Sequence, residues 1–156
     1  MSTPDRTPDP VLAERARAGE GDYSLFGDAH VEAYEQSGGE VGYIWNGAPI
    51  AVLSTTGESS GKERKHALIF GFDGDAVVFV ASKGGAPEHP QWYDNLVAEP
   101  HVKVQVLADR YDGVARTATG DERTRLWELM NVLWPSYEDY QAKTDREIPV
   151  VVVDRA

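Results

Sequence analysis

The stretch KHALIFGFDGDAVVFVAS, residues 65–82, decides the fold. Two apolar runs, 65–72 and 75–82, flank the dipeptide Asp73-Gly74. Asp-Gly between two such runs is a strong hairpin signal, because glycine tolerates the positive φ that tight hairpin turns require. The segment therefore predicts two antiparallel strands. The exit from the second strand is unlike a plain turn: ASKGGAPEHPQWYDNL, residues 81–96, passes through a lysine, two adjacent glycines, two prolines, a histidine and a tryptophan.

Further strands lie on either side of the hairpin. Upstream, GYIW (42–45) is short and aromatic, and Ile50 to Thr56 is an apolar run entered through Pro49. Downstream, Val102, Val104 and Val106 alternate with polar residues, the period of a half-buried strand. Residues 110–119 can return antiparallel after a tight turn near Asp109, and 148–153 form a last apolar strand. Helices interrupt this order. Residues 26–36 predict a short one, ended by Gly38-Gly39. Pro90 opens another over 90–98, with Trp92 and Leu96 on one face, stopping before Pro100. Thr119 and Glu122 form a capping-box pattern ahead of Leu126, Leu129, Met130 and Leu133, and Pro135 ends that helix. Ser136 and Asp139 are expected to cap a further short helix. Six or so strands with a few helices predict an α+β fold, a small β-barrel with helices packed outside. A dinucleotide-binding fold is not expected, because no strand–GxGxxG–helix unit is present.

The chain has 156 residues, a length suited to one domain, and 41% of them are hydrophobic, enough for a core. Residues 1–24, proline-rich and poor in apolar groups, are expected to be weakly ordered, leaving 25–156 as the domain. There is no cysteine, so disulfides, thiol chemistry and cysteine-based zinc sites are excluded. No apolar run approaches the length of a membrane span, and MSTPDRTPDP is no signal peptide; the simplest reading is a cytoplasmic protein. A net charge of −11 argues against nucleic acid and against anionic membrane surfaces as partners. Against that background Lys62, Arg64 and Lys65 form a local basic cluster.

Three segments could carry chemistry. STTGESSGKERKHAL (54–68) is either a polar loop or an anion site built from glycine-exposed N–H groups and basic side chains. Ser82-Lys83-Gly84-Gly85 is either a flexible turn or a bare backbone face for a flat ring, with a lysine at its edge. Trp134, Tyr137 and Tyr140 recur every three residues, a stripe that is either core or the wall of a pocket for a planar aromatic substrate. His30, His66, His89 and His101 show no metal-ligand spacing, and no nucleophile elbow is present. Binding surfaces without an acid–base set suit an enzyme whose cofactor does the chemistry.

The strings TTG-x-x-SG-x-x-R at 55–64, DGD-A-VVFVASKGGAPEHPQWYDNL at 73–96 and WPSYEDYQAKTDREIPVVV at 134–152 resemble the deazaflavin-dependent nitroreductase family, coenzyme F420-dependent reductases of quinones and nitro compounds. The resemblance spans about residues 26–154. It implies a split β-barrel related to flavin-reductase and pyridoxamine-phosphate-oxidase folds, and hydride transfer from reduced F420 to a quinone or nitroaromatic. It implies that the loop from Glu58 to Arg64, with Ser59, Gly61, Lys62 and Arg64, holds the cofactor phosphate. His66, Ala67, Leu68, Val80, Ala81, Ser82, Lys83 and Gly84 would hold the ring, with Gln91, Trp92, Tyr93 and Asn95 behind it and Tyr137 beside it. Trp134, Tyr137 and Tyr140 would close the substrate side, and Ser82, Tyr137 and Tyr140 would donate hydrogen bonds in catalysis. The sequence departs from the family where Glu58 and Ser59 replace commonly basic residues, Ala67 replaces a frequent proline and Trp134 replaces a tyrosine of some members. The alternatives are FMN as the cofactor of a related barrel, or a non-catalytic deazaflavin-binding protein. Barrels of this type are often homodimers.

Overall fold

Each apolar run of the sequence becomes a strand with an antiparallel neighbour. The computed structural model describes residues 27–156; the expected weakly ordered segment over 1–24 lies outside the described residues. In chain order the elements are helix α1 (Gly27–Ser37), strands β1 (Ile44–Trp45), β2 (Ala48–Thr56), β3 (Glu63–Asp73) and β4 (Ala76–Val80), a 3-10 turn (Lys83–Gly85), helix α2 (Gln91–Ala98), strands β5 (His101–Val106) and β6 (Asp109–Thr117), helices α3 (Gly120–Leu133) and α4 (Ser136–Ala142), and strand β7 (Val150–Arg155). The strands are ordered β1-β2-β3-β4-β7-β6-β5, and β5 returns to pair with β2 through Val52↔Gln105, Leu53↔Val104 and Ser54↔Lys103. That last pairing closes β2 to β7 into an antiparallel barrel and leaves only the two-residue β1 outside the ring.

The apolar runs of β4 and β7 are continuous because both faces of these strands are covered. The two strands pair as Val77↔Val153, Val78↔Val152, Phe79↔Val151 and Val80↔Val150. Side chains alternate across a sheet. Val77, Phe79, Val151 and Val153 therefore enter the barrel core with Leu53, Phe70 and Val104. Val78, Val80, Val150 and Val152 face outward and pack with Leu126, Met130, Tyr137 and Ile148. Strand β5 buries its valines and Gln105 while His101 and Lys103 stay exposed, close to the alternation its sequence predicts.

Local details depart from expectation where tertiary contacts compete. The hairpin turns at Gly74-Asp75, with Asp73 paired to Ala76, one residue later than the Asp-Gly pair suggested. The β5–β6 turn falls at Leu107-Ala108, and Leu107 takes a positive φ of 54°. Its N–H donates to the Tyr34 hydroxyl at 2.7 Å and its carbonyl accepts from Gln105 at 2.8 Å, which holds it in that conformation. The capping box does not close: Thr119 precedes α3 without a side-chain cap, and the Glu122 carboxylate, which would reach back to it, is engaged by Arg116 of β6. Nor do Ser136 and Asp139 cap α4, since Ser136 is already helical; Asn131 of α3 instead accepts the Glu138 N–H at 3.1 Å. Among the described residues no helix is long and apolar enough to cross a membrane.

The way α3 is held on the barrel can be tested at two residues. Leu126 is fully buried between α3 and the outer face of β4–β7. Leu126→Ala is expected to lower the unfolding free energy by about 2–5 kcal/mol, measured by urea denaturation. Arg125 of α3 makes two hydrogen bonds to the Asp73 carboxylate, at 2.9 and 3.0 Å, and these hold the Asp73 pKa below its usual value. A depressed carboxylate pKa contributes stability above the unfolded pKa and loses it as pH falls through the folded one. The urea midpoints of the wild type and Asp73→Asn should therefore differ at neutral pH and converge below about pH 4.

Candidate functional site: a cleft where the barrel meets the outer helices

A cleft of about 310 Å³ opens beside the end of β4, within the range of small-molecule sites. Its floor is Ile50 of β2, Ala67, Leu68 and Ile69 of β3, and Val80 of β4. Ser82, Lys83 and Gly84 form one edge, and Pro90 with Trp92 of α2 forms the back. Trp45, Trp134, Tyr137 and Tyr140 also line it, as do Gly27 and the buried His30 of α1. The second and third of the segments singled out in the sequence thus meet at one cavity, with the end of the first, Ala67 and Leu68, in its floor.

The turn after β4 is built on consecutive left-handed residues. Lys83, Gly84 and Gly85 have φ of 47°, 64° and 84°. The two glycines do different work. A Cβ on Gly84 would meet nothing within 4 Å, so this residue offers bare backbone at the cleft. A Cβ on Gly85 would lie 2.6 Å from the Tyr140 carbonyl oxygen, so this one lets the turn pack directly on α4. The expectation of a doubly bare face is therefore corrected to a single glycine at the cleft. Lys83 is exposed and pairs with Glu88 at 3.2 Å.

The aromatic wall is part core and part cleft. Tyr137 is buried, and burial pushes its pKa up, so its hydroxyl keeps its proton across the neutral range. That hydroxyl has no hydrogen-bond partner among the described residues, and neither has the Ser82 hydroxyl. Tyr140 is half-buried, and its hydroxyl accepts from the Trp134 indole at 3.4 Å. The Trp134 ring lies 5.6 Å from Trp45. Trp45 was missed in the sequence. Asn46-Gly47 directly after it, at φ 48° and 82°, was the available signal, since a tight hairpin there projects the preceding aromatic side chain.

The remaining expected residues stand elsewhere. Ser59, Gly61, Lys62 and Arg64 are exposed on or beside the β2–β3 loop, outside the cleft. Arg64 precedes Ala67 by three residues, about 10 Å along a strand. The loop folds on itself through Gly57 N–H to the Lys62 carbonyl at 2.8 Å and Gly61 N–H to the Gly57 carbonyl at 2.9 Å. Asn95 is buried and supports it: its side-chain oxygen accepts the Glu58 N–H at 3.1 Å and the Gln91 amide at 3.0 Å, and its amide donates to Thr55. Gln91 and Asn95 thus brace the loop from behind and do not line the cleft. Tyr93 shares a hydrogen bond with Thr117 and packs on His89. Ala81 is fully buried beneath the turn.

The basic cluster divides. Lys65 bonds Glu35 of α1 at 2.7 Å, and this partner raises its pKa. Lys62 and Arg64 have no ion-pair partner among the described residues. His66 faces a different groove, between α1 and β3, together with Arg64 and Lys65. Burial lowers its pKa, which Asp28 opposes. Its buried Nδ1 has no hydrogen-bond partner among the described residues. Among the described residues no cluster of His, Asp and Glu could hold a metal ion.

Residues 28–155 match the family model described as F420H(2)-dependent quinone reductase. An F420H(2)-dependent quinone reductase of Mycobacterium tuberculosis is 38% identical over 130 residues, 81% of this chain and 87% of that protein. A solved F420-H2 dependent reductase superposes with a TM-score of 0.64 at 44% identity, covering 68% of this chain and 94% of that one. A second solved structure, described as a domain-swapped dimer, superposes at 0.67 with 34% identity over 94% of this chain and 100% of the other. The chain, a split barrel with helices packed outside, belongs to the F420H(2)-dependent quinone reductase family.

Proposed function

We propose that the cleft binds the ring of coenzyme F420 against Ala67, Leu68, Val80, Trp92 and the bare backbone of Gly84. A quinone then enters between that ring and the wall of Trp45, Trp134, Tyr137 and Tyr140. The lining supports the fit: an apolar floor, one glycine without a side chain at the edge, and hydroxyls only on the turn and the tyrosine wall. Lys62 and Arg64, uncommitted to other described carboxylates, would hold the phosphate with the N–H groups of the loop that Asn95 braces. Glu58, whose N–H Asn95 fixes, sets a carboxylate beside them and reduces the attraction.

When bound, the reduced deazaflavin supplies a hydride. This chain contributes orientation, exclusion of water by the indole rings, and hydrogen bonds to the acceptor oxygen as it gains charge. The observation that carries the assignment is the Tyr137 hydroxyl: at the cleft, neutral, and without a protein partner among the described residues. A phenol of raised pKa remains a donor and can hold its proton against a developing oxyanion. Ser82, on the opposite edge, is the second donor; Tyr140, already engaged with Trp134, is a weaker one. An activated nitroaromatic offers the same flat shape and an oxygen to accept the same bonds. The domain-swapped relative supports a homodimer for this chain as well.

Two measurements test this reading. In a fluorescence titration of the purified protein, oxidised F420 should bind saturably and FMN run in parallel should not. Preference for FMN would keep the barrel and change the cofactor, and binding of neither would remove the phosphate-loop assignment. Tyr137→Phe should lower single-turnover quinone reduction by about ten- to a hundredfold, toward the losses known for other oxyanion donors. Its affinity for F420 should change by less than about threefold, under 1 kcal/mol. An unchanged reduction rate would take Tyr137 out of the mechanism.

A further inference from the structure

Arg146 has no part in the binding set described above, yet its guanidinium makes more hydrogen bonds to the edge of the cleft than any other described side chain. Nε donates to the Ala86 carbonyl at 2.8 Å. Nη2 donates to the Ser82 carbonyl at 2.7 Å, and Nη1 to the Ala81 carbonyl at 3.2 Å and the His89 ring Nδ1 at 2.9 Å. The acceptors bracket the left-handed run at Lys83, Gly84 and Gly85 from both ends. A residue with a side chain is unfavourable in that conformation without such restraint, and Lys83 has one. The guanidinium is half-buried, and its desolvation lowers its pKa, which Glu88 opposes from a distance. It forms no ion pair with a described carboxylate, so its direct partners are carbonyl dipoles and the His89 ring.

The backbone of the same residue belongs to the other wall. The Arg146 carbonyl accepts from the Gln141 amide at 2.8 Å, and Gln141 also accepts the Ile148 N–H at 2.9 Å. Gln141 is on α4, the helix that carries Tyr137 and Tyr140. One residue therefore joins the turn bearing Ser82 to the helix bearing the tyrosines, where Gly85 and the Tyr140 carbonyl already touch.

We infer that Arg146 is a positioning residue that fixes the Ser82–Ala86 turn in its left-handed form and sets its spacing from α4, so that cofactor edge and acceptor wall are held in register. The inference rests on the cleft being the deazaflavin site proposed above. A lysine in its place keeps the charge, but its single ammonium lacks the planar fork that reaches four separated acceptors.

The test compares wild type and Arg146→Lys by amide hydrogen exchange without cofactor and by fluorescence titration with oxidised F420. In the wild type the Gly85 and Ala86 amides, which donate to the Ser82 and Lys83 carbonyls, should exchange at least about a hundredfold slower than in an unstructured peptide. In R146K that protection should fall for these two amides while the β4 and β7 amides keep theirs, and F420 should bind about tenfold more weakly. Unprotected amides in the wild type would overturn the inference even if R146K does not fold. So would a folded R146K with unchanged protection at Gly85 and Ala86, or with lost protection but unchanged F420 affinity, the mark of a merely structural clamp. Failure of the wild type itself to bind F420 sinks the functional reading instead, and the exchange comparison still decides whether Arg146 fixes the turn.

Discussion

The pairing of β4 with β7 is the constraint on which the rest depends. Four consecutive residue pairs place valine or phenylalanine on both strands, so neither face of this ladder tolerates water. One face obliges the sheet to curl around it, and the β2–β5 pairing completes that closure. The other face obliges α3 and α4 to dock. The ladder continues one step beyond the strands, through the Ala81 N–H donating to the Pro149 carbonyl at 2.9 Å. The chain leaves β4 into the lysine–glycine turn at the same place where it enters β7 from Arg146. The cleft lies where both segments emerge, so the hydrophobic pattern of two strands locates a site to which the strands themselves contribute only Val80.

Charge is arranged on a different logic. The protein is strongly acidic, and half of its described lysines and arginines are matched by carboxylates, among them Lys65 with Glu35, Arg125 with Asp73, Arg116 with Glu122 and Asp154, and Arg155 with Asp109. These exposed pairs contribute little stability individually. Their effect is subtractive, since each one removes a basic side chain from those able to attract an anion. Among the described residues, Lys62 and Arg64 beside the β2–β3 loop keep no carboxylate partner, and Arg146 at the cleft edge is matched only by carbonyls and the His89 ring. A basic cluster in sequence therefore overstates the positive charge available in space.

Strands were legible because their two-residue period and turn glycines are local signals, and the hairpin at 65–82, with the other strands and helices around it, pointed to a barrel with helices outside. The capping residues were not: Thr119 and Glu122 fit the local rule, but Arg116, adjacent only after β6 folds back, takes the carboxylate. The site was readable as far as motifs went, with Ala67, Leu68, Val80, Ser82, Lys83, Gly84, Trp92 and the aromatic stripe meeting at one cavity. Trp45 and Ile50 were not read as part of it, because β1 is two residues long and β2 is apolar through most of its length. His66 illustrates the same limit in the other direction. It neighbours Ala67 in sequence, yet the pleat turns it toward α1.

Helix α4 is seven residues long, too short to persist in water on its own propensity. Its tyrosines keep their places through tertiary contacts, among them Asn131, Gln141, the Trp134 indole, the contact at Gly85 and burial of Tyr137. The wall proposed to meet the acceptor thus takes its place from its neighbours, whereas the opposite wall is part of a closed barrel. On the proposed reading, a side-chain change at Trp134 alters which acceptor is reduced, whereas one at Gln141 would also reach the edge of the reductant through Arg146.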